Sequence, residues 1–266
     1  MSSPTERPNK LERLLADTTR TRKHSAYQLL AAPVAKLLGD TGVEVHSKHE
    51  LERLNYMRSK VEFRDKAVLD IGCNTGFFLF ELLQAGASRV TGYEGSAAHA
   101  AFVREAASLL GLDEAIEVHS RYFDFDFDFD FRHGRFDVAL LLNVLHHVGD
   151  DFGDSALTIE QARVSILDQL NRMNRLADRL IFQLGFNWRG DPARCLFSRG
   201  TKTEMINYIR EGSSGFWDIE AIGVAQRQNG ELVYRDIDDR NVQRDDALGE
   251  FLNRPIFIMK SLGSRK

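Results

Sequence analysis

Two glycines and two acids mark the chemistry first. The segment DIGCNTG, Asp70 to Gly76, ends a short apolar run and carries glycines at Gly72 and Gly76. Such glycines let the backbone turn tightly and approach a ligand, with a helix N-terminus following. Glu94, in GYEGS, lies 22 positions beyond Gly72. A carboxylate there can accept two hydrogen bonds from a ribose diol. The glycine spacing is not that of the dinucleotide fingerprint G-x-G-x-x-G. The plainer alternatives are an ordinary strand-to-helix turn and a solvated carboxylate. A third segment, FDFDFDFDF from Phe123 to Phe131, alternates phenylalanine with aspartate. If extended, it has phenylalanines on one face and repelling carboxylates on the other, so it needs the aromatic face buried. Carboxylate oxygens suit calcium, but the run lacks the turn residues that wrap a chain around an ion. It reads as an enlarged loop or edge hairpin arm.

The elements that must position these residues alternate in type. Ala67–Ile71, Arg89–Tyr93, Ala115–His119, Phe136–Leu142 and Leu180–Leu184 read as strands, and Phe77–Gln84, Ala97–Leu110 and Thr158–Met173 as helices. Thr203–Ile209 reads as a helix, and Phe216–Val224 with Pro255–Lys260 as a final strand pair. The run FDVALLL is nearly all apolar, so it is expected to be covered on both faces. Alternating strands and helices imply an α/β, doubly wound, mostly parallel sheet. Ahead of it, Ser25–Leu38 has helical spacing that Pro33 should kink or divide, and His49–Arg58 reads as a second helix. Residues 1 to about 20 are polar and rich in Arg, Glu and Thr, so the extreme end is expected to be mobile. The expected division is an N-terminal helical extension, residues 1–64, and an α/β domain, residues 65–266.

Composition narrows the function. The chain has 266 residues, 43% hydrophobic and 28% charged, with a net charge of −4. That balance fits a soluble globular protein and argues against a general polyanion binder. Its two cysteines, Cys73 and Cys195, read as free thiols in a reducing compartment, so a cytoplasmic location is expected. No apolar run is long enough to span a membrane.

VLDIGCNTGFF, VTGYEGS and FDVALLLNVLHHV resemble motifs one, two and four of the class I S-adenosylmethionine-dependent methyltransferases. The resemblance covers roughly Val61 to Leu184. It implies a Rossmann-like sheet of seven strands, the last antiparallel, with S-adenosyl-L-methionine across the first strands. It further implies that Asp70 helps hold the methionine ammonium and that Gly72, Cys73, Asn74 and Gly76 border the methionine part. Glu94 takes the ribose hydroxyls, Gly95 and Ser96 border the adenosine, and Tyr122, Phe123 or Asp124 flank the base. Asn143 lies beneath the sulfonium. Asn74 stands where the usual motif has its middle glycine.

Methyl transfer to a hydroxyl needs a positioned base. His146 and His147 follow the fourth strand, and an imidazole titrating near pH ~6.5 is a credible base. Either could instead be a helix-start histidine bonded to backbone. Asp150, Asp151 and Asp154 offer a divalent-metal option or simple helix caps, and no metal is expected. Asn187, Trp188 and Arg189, with Asp191, fall after the fifth strand. An indole beside amide and guanidinium groups suits a sugar or another polyhydroxyl acceptor. The N-terminal helices, with His46, His49, Arg53 and Tyr56, are expected to form a lid over this face. The expected acceptor is therefore a small-molecule or glycan-like hydroxyl compound. RNA is the alternative: Arg20, Arg22, Lys23 and the terminal SRK permit it, and the overall acidity disfavours it. A cofactor-binding regulatory protein without transfer chemistry is a further alternative.

Overall fold

The run Ala67–Ile71 is buried along its whole length, and this decides the architecture: a strand with both faces covered sits in the middle of a sheet. The computed structural model describes residues 10–20, 28–39, 46–125 and 134–263. Within them the strands are β1 (Ala67–Ile71), β2 (Arg89–Tyr93), β3 (Ile116–His119), β4 (Phe136–Leu142), β5 (Ala177–Gln183), β6 (Trp217–Gln228), β7 (Glu231–Asp236) and β8 (Ile256–Ser261). They form one sheet in the order β3-β2-β1-β4-β5-β8-β6-β7. The pairings among β1 to β5 are parallel, and β8 runs antiparallel to both β5 and β6. The helices are α1 (Lys10–Thr19), α2 (Ala32–Leu38), α3 (Glu50–Lys60), α4 (Phe77–Gln84), α5 (Ala97–Leu109), α6 (Ile159–Arg172), α7 (Lys202–Gly212) and α8 (Gly249–Leu252).

Side-chain alternation builds one core on each face of the sheet. Val68, Leu140, Ile181 and Ile258 point to the core shared with α1 to α5. Leu69, Leu141, Leu180 and Phe257 point to the core shared with α6 and α7. Strand order reverses between β1 and β4, and ligands of open α/β sheets bind at the carboxyl ends beside such a switch point.

Three expectations differ from the structure. The sheet has eight strands rather than seven, because β6 continues through Asn229-Gly230 into the edge strand β7. Both turn residues have positive φ, 52° and 86°, as a two-residue hairpin loop requires. The helix over Lys10–Thr19 is additional to those expected: Leu11 and Leu15 are buried, and a Leu stripe of helical spacing docks α1 on α5. Pro33 starts a helix instead of kinking one. It occupies the first turn of α2, where its missing N–H costs nothing. The Phe–Asp run from residue 126 onward lies outside the described residues, as do Arg22, Lys23 and the terminal SRK.

Candidate functional site

The carboxyl ends of β1, β2 and β4 open into a cavity of about 510 Å³. Its floor begins with the loop after β1. The N–H groups of Gly72 and Cys73 both donate to the carbonyl of Tyr93, at 2.8 and 3.1 Å. Gly72 has φ 79°, and a β-carbon on it would come within 2.9 Å of a Val144 methyl. Asn74, in place of the usual glycine, takes the left-handed region at φ 51°, which asparagine tolerates better than most residues. Its side-chain oxygen accepts from the Thr75 N–H at 2.7 Å, and its own N–H donates to Glu94 Oε2 at 2.8 Å. Gly76 caps α4 at φ 84°. Cys73 is fully buried in the core and does not line the cavity, unlike its neighbours Gly72 and Asn74; burial also pushes its thiol well above the usual range, which does not suit a nucleophile.

Glu94 ends β2 and is buried. Its second oxygen, Oε1, accepts from the Ser96 N–H at 2.8 Å. Two backbone donors therefore fix the carboxylate and leave lone pairs for a ligand diol. A β-carbon on Gly95 would meet the half-exposed Tyr122 ring at 2.3 Å, so glycine lets that ring lie over the backbone. Tyr122 and Phe123 both line the cavity. Phe123 starts a file of rings, with Tyr93 at 4.9 Å and Phe125 at 5.0 Å from it, and Phe152 at 5.1 Å from Phe125. Phe123 and Phe125 are thus cavity wall and core at once.

Asp70 is buried, and its Oδ2 has no hydrogen-bond partner. Desolvation, then the charge of Glu94, pushes its carboxyl up to about 7, while Arg53 opposes the rise. Arg53 reaches the cavity from α3. Its guanidinium lies 5.3 Å from the rings of both Phe78 and Phe251 and 3.4 Å from Glu50, while its Nε has no partner. A buried guanidinium with an unmet donor, facing a cavity, suits an incoming anion.

Asn143, at φ 61°, forms the floor beyond β4. Its Nδ2 donates to Gln183 Oε1, and its Oδ1 accepts from Arg254 Nη1. The next turn, Leu145–His147, carries the two histidines, whose rings lie 4.2 Å apart. His146 is buried, and desolvation holds it well below the usual imidazole range. Its Nδ1 accepts from the Gly185 N–H at 3.3 Å, so the neutral ring carries its proton on Nε2 and is a donor. His147 is half-buried and has Nδ1 3.8 Å from Asp151 and 3.9 Å from Asp150. Both histidines and Asp151 line the cavity.

Asn187, Trp188 and Arg189 do not line it; Gly190 alone of that turn does. The Trp188 indole is buried and donates its N–H to the Val148 carbonyl at 2.7 Å. Arg189 stacks on that indole at 4.2 Å and donates to the Ser155 carbonyl. Of the expected lid residues, Arg53 faces the cavity, whereas the Tyr56 hydroxyl donates to Asp236. Gln28 and Lys48 from the N-terminal segment, and Phe251 and Arg254 from the C-terminal one, also line the cavity. No sequence motif marks these four. Among the described residues no group of three His, Cys, Asp or Glu side chains could hold a metal ion. No described helix is long and apolar enough to cross a membrane.

Residues 68–164 match the family model described as a methyltransferase domain. A Pseudomonas aeruginosa ubiquinone biosynthesis O-methyltransferase is 34% identical over 169 residues, 64% of this chain and 69% of that protein. A Nitrosococcus oceani protein of the same name is 32% identical over 96 residues. That alignment covers 36% of this chain and only 39% of the relative. Among solved structures, the bifunctional kinase-methyltransferase WbdD shares the fold at TM-score 0.50 and 17% identity, over 94% of this chain and 46% of that one.

Proposed function

The chain belongs to the class I S-adenosylmethionine-dependent methyltransferases, and we propose that it methylates a hydroxyl oxygen of a small-molecule acceptor. The cavity suits the family's cofactor. Glu94, fixed by two backbone donors, would hold the ribose hydroxyls. Asp70, with its unmet buried oxygen, would take the methionine ammonium, and Arg53, with its unmet Nε, the methionine carboxylate. Tyr122 and Phe123 would flank the adenine. The bound cofactor supplies an electrophilic methyl group on a sulfonium.

The observation that carries the choice of oxygen is His147 beside Asp151 on the cavity wall. The carboxylate beside Nδ1 would orient the ring and offset the charge it gains when Nε2 takes a proton. His147 would take the hydroxyl proton as the acceptor oxygen gains the methyl group and the sulfonium leaves as a neutral thioether, and would pass that proton to solvent. His146 is already neutral and presents Nε2–H, so it orients rather than deprotonates. Phe125, Phe152 and Phe251 put aromatic surface on the wall among polar side chains, which suits a flat, compact acceptor bearing a polar group. The names of the curated relatives support transfer to oxygen.

The test is transfer of labelled methyl groups to a panel of phenols, alcohols, amines and RNA. Label should appear on a hydroxyl compound. His147→Ala should lower kcat by about 10²–10⁴-fold, with cofactor affinity kept. Transfer to nitrogen or RNA alone, or undiminished turnover in His147→Ala, would overturn the proposal.

A further inference from the structure

The structure assigns a task to His99, which no step above uses: it is a positioning residue for the Glu94 carboxylate. The assignment rests on the reading of Glu94 as the ribose acid. His99 lies in the first turn of α5 and is wholly buried, among Ala100, Phe102 and Val103. Neither ring nitrogen has a hydrogen-bond partner. An aliphatic side chain would fill that place without burying two unmet polar atoms. Among the described residues, the acid that His99 approaches is Glu94, with Nδ1 3.8 Å from Oε1.

The backbone N–H groups of Asn74 and Ser96 each hold one oxygen of that carboxylate. One comes from the loop after β1 and the other from the residue that caps α5. The imidazole approaches the carboxylate from the first turn of that same helix. At 3.8 Å an N–H on Nδ1 makes no hydrogen bond, but its dipole would add a third favourable interaction beside Oε1 and help keep the carboxylate turned toward the cavity. The effect should therefore concern the ribose hydroxyls and not the chemical step.

The experiment compares calorimetric affinity for S-adenosylhomocysteine and for its 2′-deoxy analogue. Wild type should prefer the diol. His99→Leu should lose about tenfold in affinity for S-adenosylhomocysteine and most of that preference. Its kcat at saturating cofactor should stay unchanged. His99→Asn places an amide nitrogen near the former Nδ1 and should restore the preference. In a Glu94→Gln background, His99→Leu should add no further loss. A folded His99→Leu protein with wild-type affinity and preference overturns the assignment, as does an equal loss toward both ligands. If Glu94→Gln itself leaves the preference intact, the ribose reading fails, and the assignment with it.

Discussion

Asn143 Oδ1 accepts a hydrogen bond from Arg254 Nη1 at 2.8 Å, joining the cavity floor to a residue 111 positions later. The same amide donates to Gln183, and the backbone sits at φ 61°. Asn143→Ala should lose both bonds and strain the backbone. We expect a cost of about 2–4 kcal/mol, read as a thermal midpoint lowered by roughly 5 °C or more. Asn143→Gly relieves only the backbone part and should recover about 1 kcal/mol of it. Equal loss in both variants would remove the backbone argument.

Cofactor binding at Asp70 should depend on pH. Its carboxyl is raised to about 7 by burial and by Glu94. An ammonium beside it lowers the pKa again, so binding below that pH releases a proton. Affinity should therefore rise with pH toward 7, by at most about tenfold per unit. Calorimetry in buffers of different ionisation enthalpy should detect the released proton. Asp70→Asn should bind more weakly and without this dependence.

Arg53 should discriminate between the two ends of the ligand. Arg53→Met keeps much of the packing between Phe78 and Phe251 but removes the donor. Affinity for S-adenosylhomocysteine should fall about 10- to 100-fold. Affinity for methylthioadenosine, which lacks the carboxylate, should change little. Equal losses for both ligands would mean that Arg53 only supports the fold.

His146 and Asp70 pull acid stability in opposite directions. His146 has its folded pKa depressed, so its contribution is present above pH ~6.5, the unfolded value, and is lost as pH falls below it. Asp70, raised to about 7, destabilises the fold when ionised and ceases to do so as pH falls. In an Asp70→Asn background the histidine acts alone. Urea unfolding should then show stability decreasing from pH 7 to 5.5, with a slope of at most about 1.4 kcal/mol per unit. Adding His146→Phe should flatten that slope.

The strand-end lining of the cavity was legible because apolar runs and glycines mark where strands stop. β1, β2, β4 and α4 fall where apolar runs and glycines place them. The edge strand β7 was missed, although Asn229-Gly230 is a hairpin signal by residue type alone. α1 was missed because Leu11, Leu14 and Leu15 stand among charged residues and polar composition hid the stripe. The acceptor side was less legible. Trp188 looks like a loop aromatic on a rim until the Val148 carbonyl is found beneath its N–H. Gln28, Phe251 and Arg254 come to the cavity by long-range packing, which leaves no local trace.

Gln28 ties the two ends of this design together. Its Oε1 accepts from the Thr75 hydroxyl and from the Phe77 N–H, both at 3.1 Å. One amide oxygen thus staples the amino-terminal arm to the glycine turn and to the first turn of α4. A shortened side chain at that one position would therefore leave two donors of the glycine turn and α4 unmet together.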